Sequence, residues 1–270
     1  MNEIITSRSN EKIKEVVKLQ DKKSRNSSGK FLFEGIKLAE EYINKIGIPD
    51  MIYVREDVLN KYQLIKNLPS EKITCVSTSV YDKISSEKSP QGILCVADFL
   101  PNIKNYDADN DGGIILESIR DAGNLGTMIR TAAALGIGNI YMSEDCADVY
   151  NSKTLRAAMG AIFTGNLIIC CDLAAVIQNI KAKGSKVYAA MPRGDAAVLG
   201  KDSIGKNDAV VIGNEGEGIS KRISEICDAL TILMENTSES LNAATAAAII
   251  MWEMKKTSDN REDSMKLFHT

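Results

Sequence analysis

Two stretches decide how this chain is read: VVIGNEGEGISKRI (Val210–Ile223) and SESLNAATAAAIIMWEM (Ser238–Met254). In the first, Gly213, Gly216 and Gly218 follow an apolar run that ends like a strand. Glycine permits positive φ and close approach of another backbone. The order G-x-x-G-x-G is not the dinucleotide fingerprint, and no P-loop lysine follows. A phosphate cradle is therefore disfavoured. A ligand held by backbone groups suits the loop, although a tight strand-to-helix turn explains it nearly as well. In the second stretch Ala243, Ala244, Ala246, Ala247 and Ala248 give a helix almost no side-chain surface, so it packs closely against a neighbour. Only Ser240 and Asn242, at its start, bring polar chemistry.

On either side of these stretches short apolar runs alternate with helical ones. GIILES, NIYMS, LIICC, KVYAA, DAVVIG and LTILM read as strands, with helices between several of them and a final helix over about 241–256. Continuous apolar strands bounded by helices predict a parallel sheet covered on both faces, in an α/β domain over 112–257. PNIKNYDADNDGG opens a polar linker, taken as 101–111, and 258–270 reads as a polar tail. Residues 1–100 form a smaller α/β domain. There DKKSRNSSGK reads as a basic loop, with helices at about 35–46 and 57–66 and strands at FLFEG, MIYV, KITCV and GILCVADF.

Composition excludes several chemistries. The chain has 270 residues, 44% hydrophobic, and one histidine, His269, next to last. That removes a Ser-His-Asp triad, a Cys-His dyad and a multi-histidine metal site. The six cysteines contain no C-x-x-C pair, which argues against zinc ribbons and redox motifs. No apolar run reaches membrane-spanning length and no signal peptide is evident, so a cytoplasmic protein is expected. The net charge of −3 hides an asymmetry, because residues 1–30 carry eight Lys/Arg against four acids. A basic segment on an acidic body suits a phosphate-binding arm, and equally an ordinary solvated helix face.

A third stretch, ESIRDAGNLGTMIRTAAALG (Glu117–Gly136), completes the set. Asn124 can cap a helix whose buried stripe is Leu125, Met128, Ile129, Ala132 and Ala133. Arg130 lies off that stripe, where a guanidinium suits a phosphate or an oxygen gaining charge, or else a surface ion pair.

Together and in this order, the three stretches resemble the SpoU (TrmH-type) branch of the SPOUT RNA methyltransferases. Asn124, Gly126 and Arg130 match its first motif; Gly213, Glu215 and Gly218 its second; Ile232, Met234, Ser240, Leu241 and Asn242 its third. RAAMGAIF (156–163) is similar to a further family stretch, and ITSRSNEKIKEV and GKFLFEG to the family's RNA-binding N-terminal domain. Ala122, Ala158 and Leu233 depart from the usual proline, serine and proline.

The resemblance implies a deep trefoil knot in the C-terminal parallel-sheet domain, a homodimer through that domain, no metal, and methyl transfer from S-adenosylmethionine to a ribose 2′-hydroxyl of RNA. It implies that Gly213, Gly218, Ile232, Met234 and Leu241 hold the cofactor, and that Arg130 acts on the ribose with Asn124, Glu215, Ser240 and Asn242 positioning it. Lys22, Lys23, Arg25 and Lys30 would grip RNA phosphates. The N-terminal domain favours 23S ribosomal RNA as substrate. A tRNA substrate and a non-catalytic ribosome-assembly factor are the alternatives, and the glycine order disfavours a nucleotide-binding oxidoreductase.

Overall fold

The structure is a computed structural model that describes residues 4–105, 112–192, 194–201, 204–205, 207–235 and 240–266, with backbone alone at 105 and 257–266. The chain divides into two compact units. One comprises Met1–Pro101 with Asp148–Phe163, the other Asn102–Ala147 with Thr164–Thr270.

The first unit holds β1 (Lys30–Glu34), β2 (Met51–Arg55), β3 (Ile73–Val76) and β4 (Ile93–Asp98), in the order β1-β4-β2-β3. The central β4 pairs antiparallel with β1 and β2, and β2 pairs parallel with β3. Helix Glu11–Lys18 lays Ile13 and Val16 against Val80, Tyr81 and Ile84 of helix Thr78–Ile84. The segment from Asp148 supplies aromatic packing: Tyr150 stacks on Phe99 with centroids 4.2 Å apart, and Phe163 meets Tyr42 edge-on at 5.2 Å. These offsets are favourable ring geometries.

The second unit is a parallel sheet of β5 (Ile103–Asn105), β6 (Gly113–Leu116), β7 (Asn139–Ser143), β8 (Asn166–Cys170), β9 (Val187–Ala190), β10 (Ala197–Val198), β11 (Ala209–Ile212) and β12 (Asp228–Thr231). Its order is β10-β12-β9-β11-β6-β7-β8-β5. β6 and β11 are buried at every residue, as a sheet covered on both faces requires. They pair in register up to Leu116 and Ile212. The chain builds outward from β6 through β7 and β8 on one side and places β11 on the other, which makes their carboxyl ends a topological switch point.

Several local expectations change. Lys22–Ser28 is a helix rather than a loop, capped by Asp21 at one end and by left-handed Gly29 at the other. The expected helix over 57–66 is a 3-10 turn, Glu56–Val58, and a short helix, Gln63–Lys66. Helix Thr78–Ile84 lies between β3 and β4, where no helix was anticipated. The expected linker begins with β5, paired to β8; its residues 106–111 lie outside the described ones. β12 stops at Thr231, so Ile232–Met234 are not strand. The last helix runs Ala243–Lys266, through most of the expected tail.

Candidate active site

The loops leaving β6 and β11 lie side by side, and one polar residue from each of the three motifs joins a common network there. Helix Ala122–Leu135 begins one turn earlier than expected: Asp121, not Asn124, is its cap, and Asp121 Oδ1 accepts from Asn124 N at 2.8 Å. That frees the Asn124 side chain. Its Nδ2 donates to Glu215 Oε1 at 2.9 Å, and its Oδ1 accepts from Asn242 Nδ2 at 3.2 Å. Asn242 also caps the final helix, its Oδ1 accepting from Ala244 N and Thr245 N. A single amide thus serves both helix start and site.

Burial pushes the Glu215 carboxyl up. Hydrogen bonds from Asn124 and from the main chain of Glu215 itself, Arg120 and Asp121 outweigh that and hold it below the ordinary glutamate range, so it is ionised at neutral pH.

Sequence reading passed over Asn214, which fixes the glycine loop. Its Nδ2 donates to the Ser118 carbonyl at 2.7 Å, its Oδ1 accepts from Gly216 N and Glu217 N at 2.9 Å, and its main chain pairs both ways with Gly218. An Asn two residues before a turn glycine is a local signal for such an Asx turn. A Cβ at Gly213 would collide with the Gly218 main chain, and Gly218 has φ +71°. Those two positions need glycine. Ser118, beside them, also takes a left-handed φ of 55°. Its hydroxyl donates to Asp145 Oδ2 and the Ser143 hydroxyl to Asp145 Oδ1, both at 2.6 Å.

Arg130 is exposed on the same helix as Asn124, and its side chain makes no hydrogen bond or ion pair among the described residues. Six residues along a helix place it about 9 Å from Asn124, so it stands apart from the Asn124–Glu215–Asn242 chain. Ser240 is exposed two residues before Asn242. Gly213, Ile232 and Leu241 are partly buried, and their main chains form no hydrogen bond among the described residues. Leu233 and Met234 are exposed nearby in sequence. Unused backbone donors and acceptors beside apolar side chains fit a ligand recognised by shape and main chain, as the glycine order suggested. Among the described residues no group of three or more His, Cys, Asp or Glu could hold a metal ion.

The basic segment divides in two. Lys22 and Lys23 are exposed, but Arg25 is buried: its Nη1 donates to the carbonyls of Leu19 and Gln20, and its Nη2 pairs with Asp148. Lys30 pairs with Asp50 and Asp98. Arg25 therefore cannot serve as a phosphate contact, and the charge of Lys30 is already matched. Helix Lys22–Ser28 turns Arg25 inward, whereas Lys30, on β1, stays partly exposed but is tied to two acids.

The switch point of the parallel sheet thus gathers an asparagine, an ionised glutamate and a second asparagine from three separate segments of the chain. The chain belongs to the SpoU rRNA Methylase family, whose pattern matches residues 113–252; an MRM3-like substrate binding domain matches residues 10–95. It is 32% identical over 257 residues to the 23S rRNA (guanosine(2553)-2'-O)-methyltransferase RlmP of Bacillus subtilis (strain 168), covering 93% of this chain and 98% of that one. It is 26% identical to the 23S rRNA (uridine(2479)-2'-O)-methyltransferase of Streptomyces viridochromogenes, covering 87% and 85%. The crystal structure of an RNA 2'-O ribose methyltransferase superposes with a TM-score of 0.80 at 25% identity, covering 95% and 99% of the two chains. An AdoMet-bound rRNA methyltransferase from Sinorhizobium meliloti shares the fold, with a TM-score of 0.79 at 23% identity over 94% and 97%.

Proposed function

We propose that this protein transfers a methyl group from S-adenosylmethionine to a ribose 2′-hydroxyl of 23S ribosomal RNA, in the cytoplasm and as a homodimer. The observation that carries the reading is the hydrogen-bonded chain Glu215–Asn124–Asn242, which ties the three motifs into one polar site. The names of the relatives support ribosomal RNA. The dimer reading draws on apolar side chains left exposed on the last helix and just before it: Leu233, Met234, Ile249 and Trp252. The knotted path is supported by the close packing of that helix on Ala122–Leu135, with Ala244 and Ala247 buried.

The cofactor, when bound, supplies an electrophilic methyl group. The main-chain groups of Gly213, Ile232 and Leu241, which make no hydrogen bond among the described residues, would hold it together with the Met234 side chain, and Gly218 would shape the loop. The ribose hydroxyl must lose its proton as it attacks, and arginine stays protonated in proteins. The proton therefore passes to a neighbouring RNA phosphate or to water, while the guanidinium fork of Arg130 orients the hydroxyl and that phosphate and stabilises the developing alkoxide. Glu215, ionised and fixed by Asn124, holds the β6 and β11 loops in register, while Asn242 and Ser240 position the ribose. Lys22 and Lys23 meet RNA phosphates.

The test is incubation with methyl-labelled S-adenosylmethionine and unmodified 23S rRNA or tRNA in separate reactions, beside Arg130→Ala. Label at one alkali-resistant linkage of 23S rRNA, absent with the variant, is expected. Label only in tRNA transfers the reading to the tRNA branch, and cofactor binding without transfer to either RNA sinks it.

A further inference from the structure

Besides the site above, the first compact unit holds a partly open cavity of about 160 Å³, room for a ring system rather than a single water. Leu32, Leu94, Leu155 and Tyr150 line it with apolar surface. Among its polar lining groups are the buried Arg25, the carboxyl of Glu34 and the Glu87–Arg156 ion pair. Arg25 is 5% exposed, and its Nε is buried without a hydrogen-bond partner, while Nη1 donates to two carbonyls and Nη2 to Asp148. A buried donor left unpaired is costly, and such groups as a rule have a partner. Glu87 uses only Oε1 towards Arg156, which leaves Oε2 for a further donor. Glu34 is held by Ser85 Oγ at 2.8 Å and Tyr81 Oη at 3.1 Å, and burial pushes its carboxyl up.

We infer that this cavity takes one unpaired guanine of the RNA substrate. The apolar walls suit the faces of a base, and single-stranded RNA is read by taking splayed bases into such pockets. The polar groups facing it are led by two carboxylates, those of Glu34 and Glu87. They match an edge with more donors than acceptors: in guanine N1–H and the N2 amine donate and O6 accepts, whereas cytosine, uracil and adenine present fewer donors. Glu87 accepts from the N1–H and N2 edge, and Arg156 holds Glu87 in place. The pocket thus selects sequence at a nucleotide other than the one methylated. The inference rests on RNA as the substrate.

The experiment is saturation-transfer NMR of the full chain with GMP, AMP, CMP and UMP, on the wild type, Glu87→Gln and Leu155→Trp. Glu87→Gln preserves shape and removes the charge, so it carries the test should Leu155→Trp misfold by circular dichroism. GMP is expected to bind in preference to the other three, about tenfold more weakly in Glu87→Gln and not at all in a folded Leu155→Trp. GMP binding no better than AMP, or unchanged in both variants, overturns the inference. Methyl transfer measured in parallel separates the two readings. Transfer with no GMP preference removes the pocket alone, and GMP preference without transfer removes the methyltransferase reading while leaving the pocket.

Discussion

Asn124 and Glu215, 91 positions apart in the chain, are joined by one amide-to-carboxylate hydrogen bond of 2.9 Å across the carboxyl ends of β6 and β11. Because Asn124 spends its other amide atom on Asn242, the three residues act as one unit. Asn124→Ala and Glu215→Gln should each lower kcat/KM for methyl transfer by about 10²-fold through misplacement of the loops. The double variant should be little worse than either single one, since members of one network are not additive. Multiplicative losses in single-turnover assays would separate the two roles.

Arg130 stands apart from that network, so its loss should appear in kcat. Arg130→Ala should reduce kcat by about 10²–10³-fold, the scale of removing one group aimed at developing charge. Arg130→Lys should recover little of it, because an ammonium lacks the planar fork. Near-full kcat in the lysine variant would remove the fork from the mechanism.

The basic segment predicts opposite effects for neighbours. Arg25→Ala strips one partner from a buried ion pair and should cost about 3–5 kcal/mol of stability in urea unfolding. Lys22→Ala and Lys23→Ala should stay within about 0.5 kcal/mol. Each should instead reduce the slope of log affinity for RNA against log salt by about 0.7.

Glu34 titrates upward in the folded state, chiefly through burial. The sign follows from linkage: with the folded value above the unfolded one, the native state binds the proton more tightly. Below the unfolded value its burial costs nothing. As pH rises from there through the folded value, stability is lost. Glu34→Gln should remove this loss, so a wild-type decline in denaturation midpoint as pH rises above the ordinary glutamate range should flatten in the variant. An identical decline in both would assign it elsewhere.

Of the six cysteines, Cys171 is exposed and Cys75, Cys95, Cys146, Cys170 and Cys227 are buried and free. A thiol reagent should therefore label one site quickly in the native protein and six after unfolding. The buried thiols are also pushed up by loss of hydration, Cys170 and Cys227 to about 11, which slows them further.

The parallel sheet was legible because β6, β7 and β11 are apolar on both faces, a pattern that few other elements share. Asn124, Glu215 and Asn242 were legible as motif members. Their mutual hydrogen bonds were not, since they depend on Asp121 taking the cap and so freeing Asn124. Helix Lys22–Ser28 was missed because lysines and serines dominate it; Asp21 and Gly29, its two caps, were the signal available. The burial of Arg25 could not be read locally, as its partner Asp148 lies 123 positions away. Asn214 was hidden among the glycines whose loop it ties.

Asp148–Phe163 belongs to the compact unit that otherwise ends at Pro101. During synthesis, therefore, the amino-terminal unit emerges from the ribosome unfinished. It waits without Tyr150 and Phe163 to close its aromatic cluster, and without Asp148 to neutralise Arg25, until β6 and β7 have also been made. A protein truncated at residue 101 would leave Phe31, Phe33 and Tyr42 without their Tyr150 and Phe163 partners, and one extended through Phe163 would be the shortest nascent chain able to complete that core. The order in which the chain is made thus couples maturation of one unit to the appearance of the other.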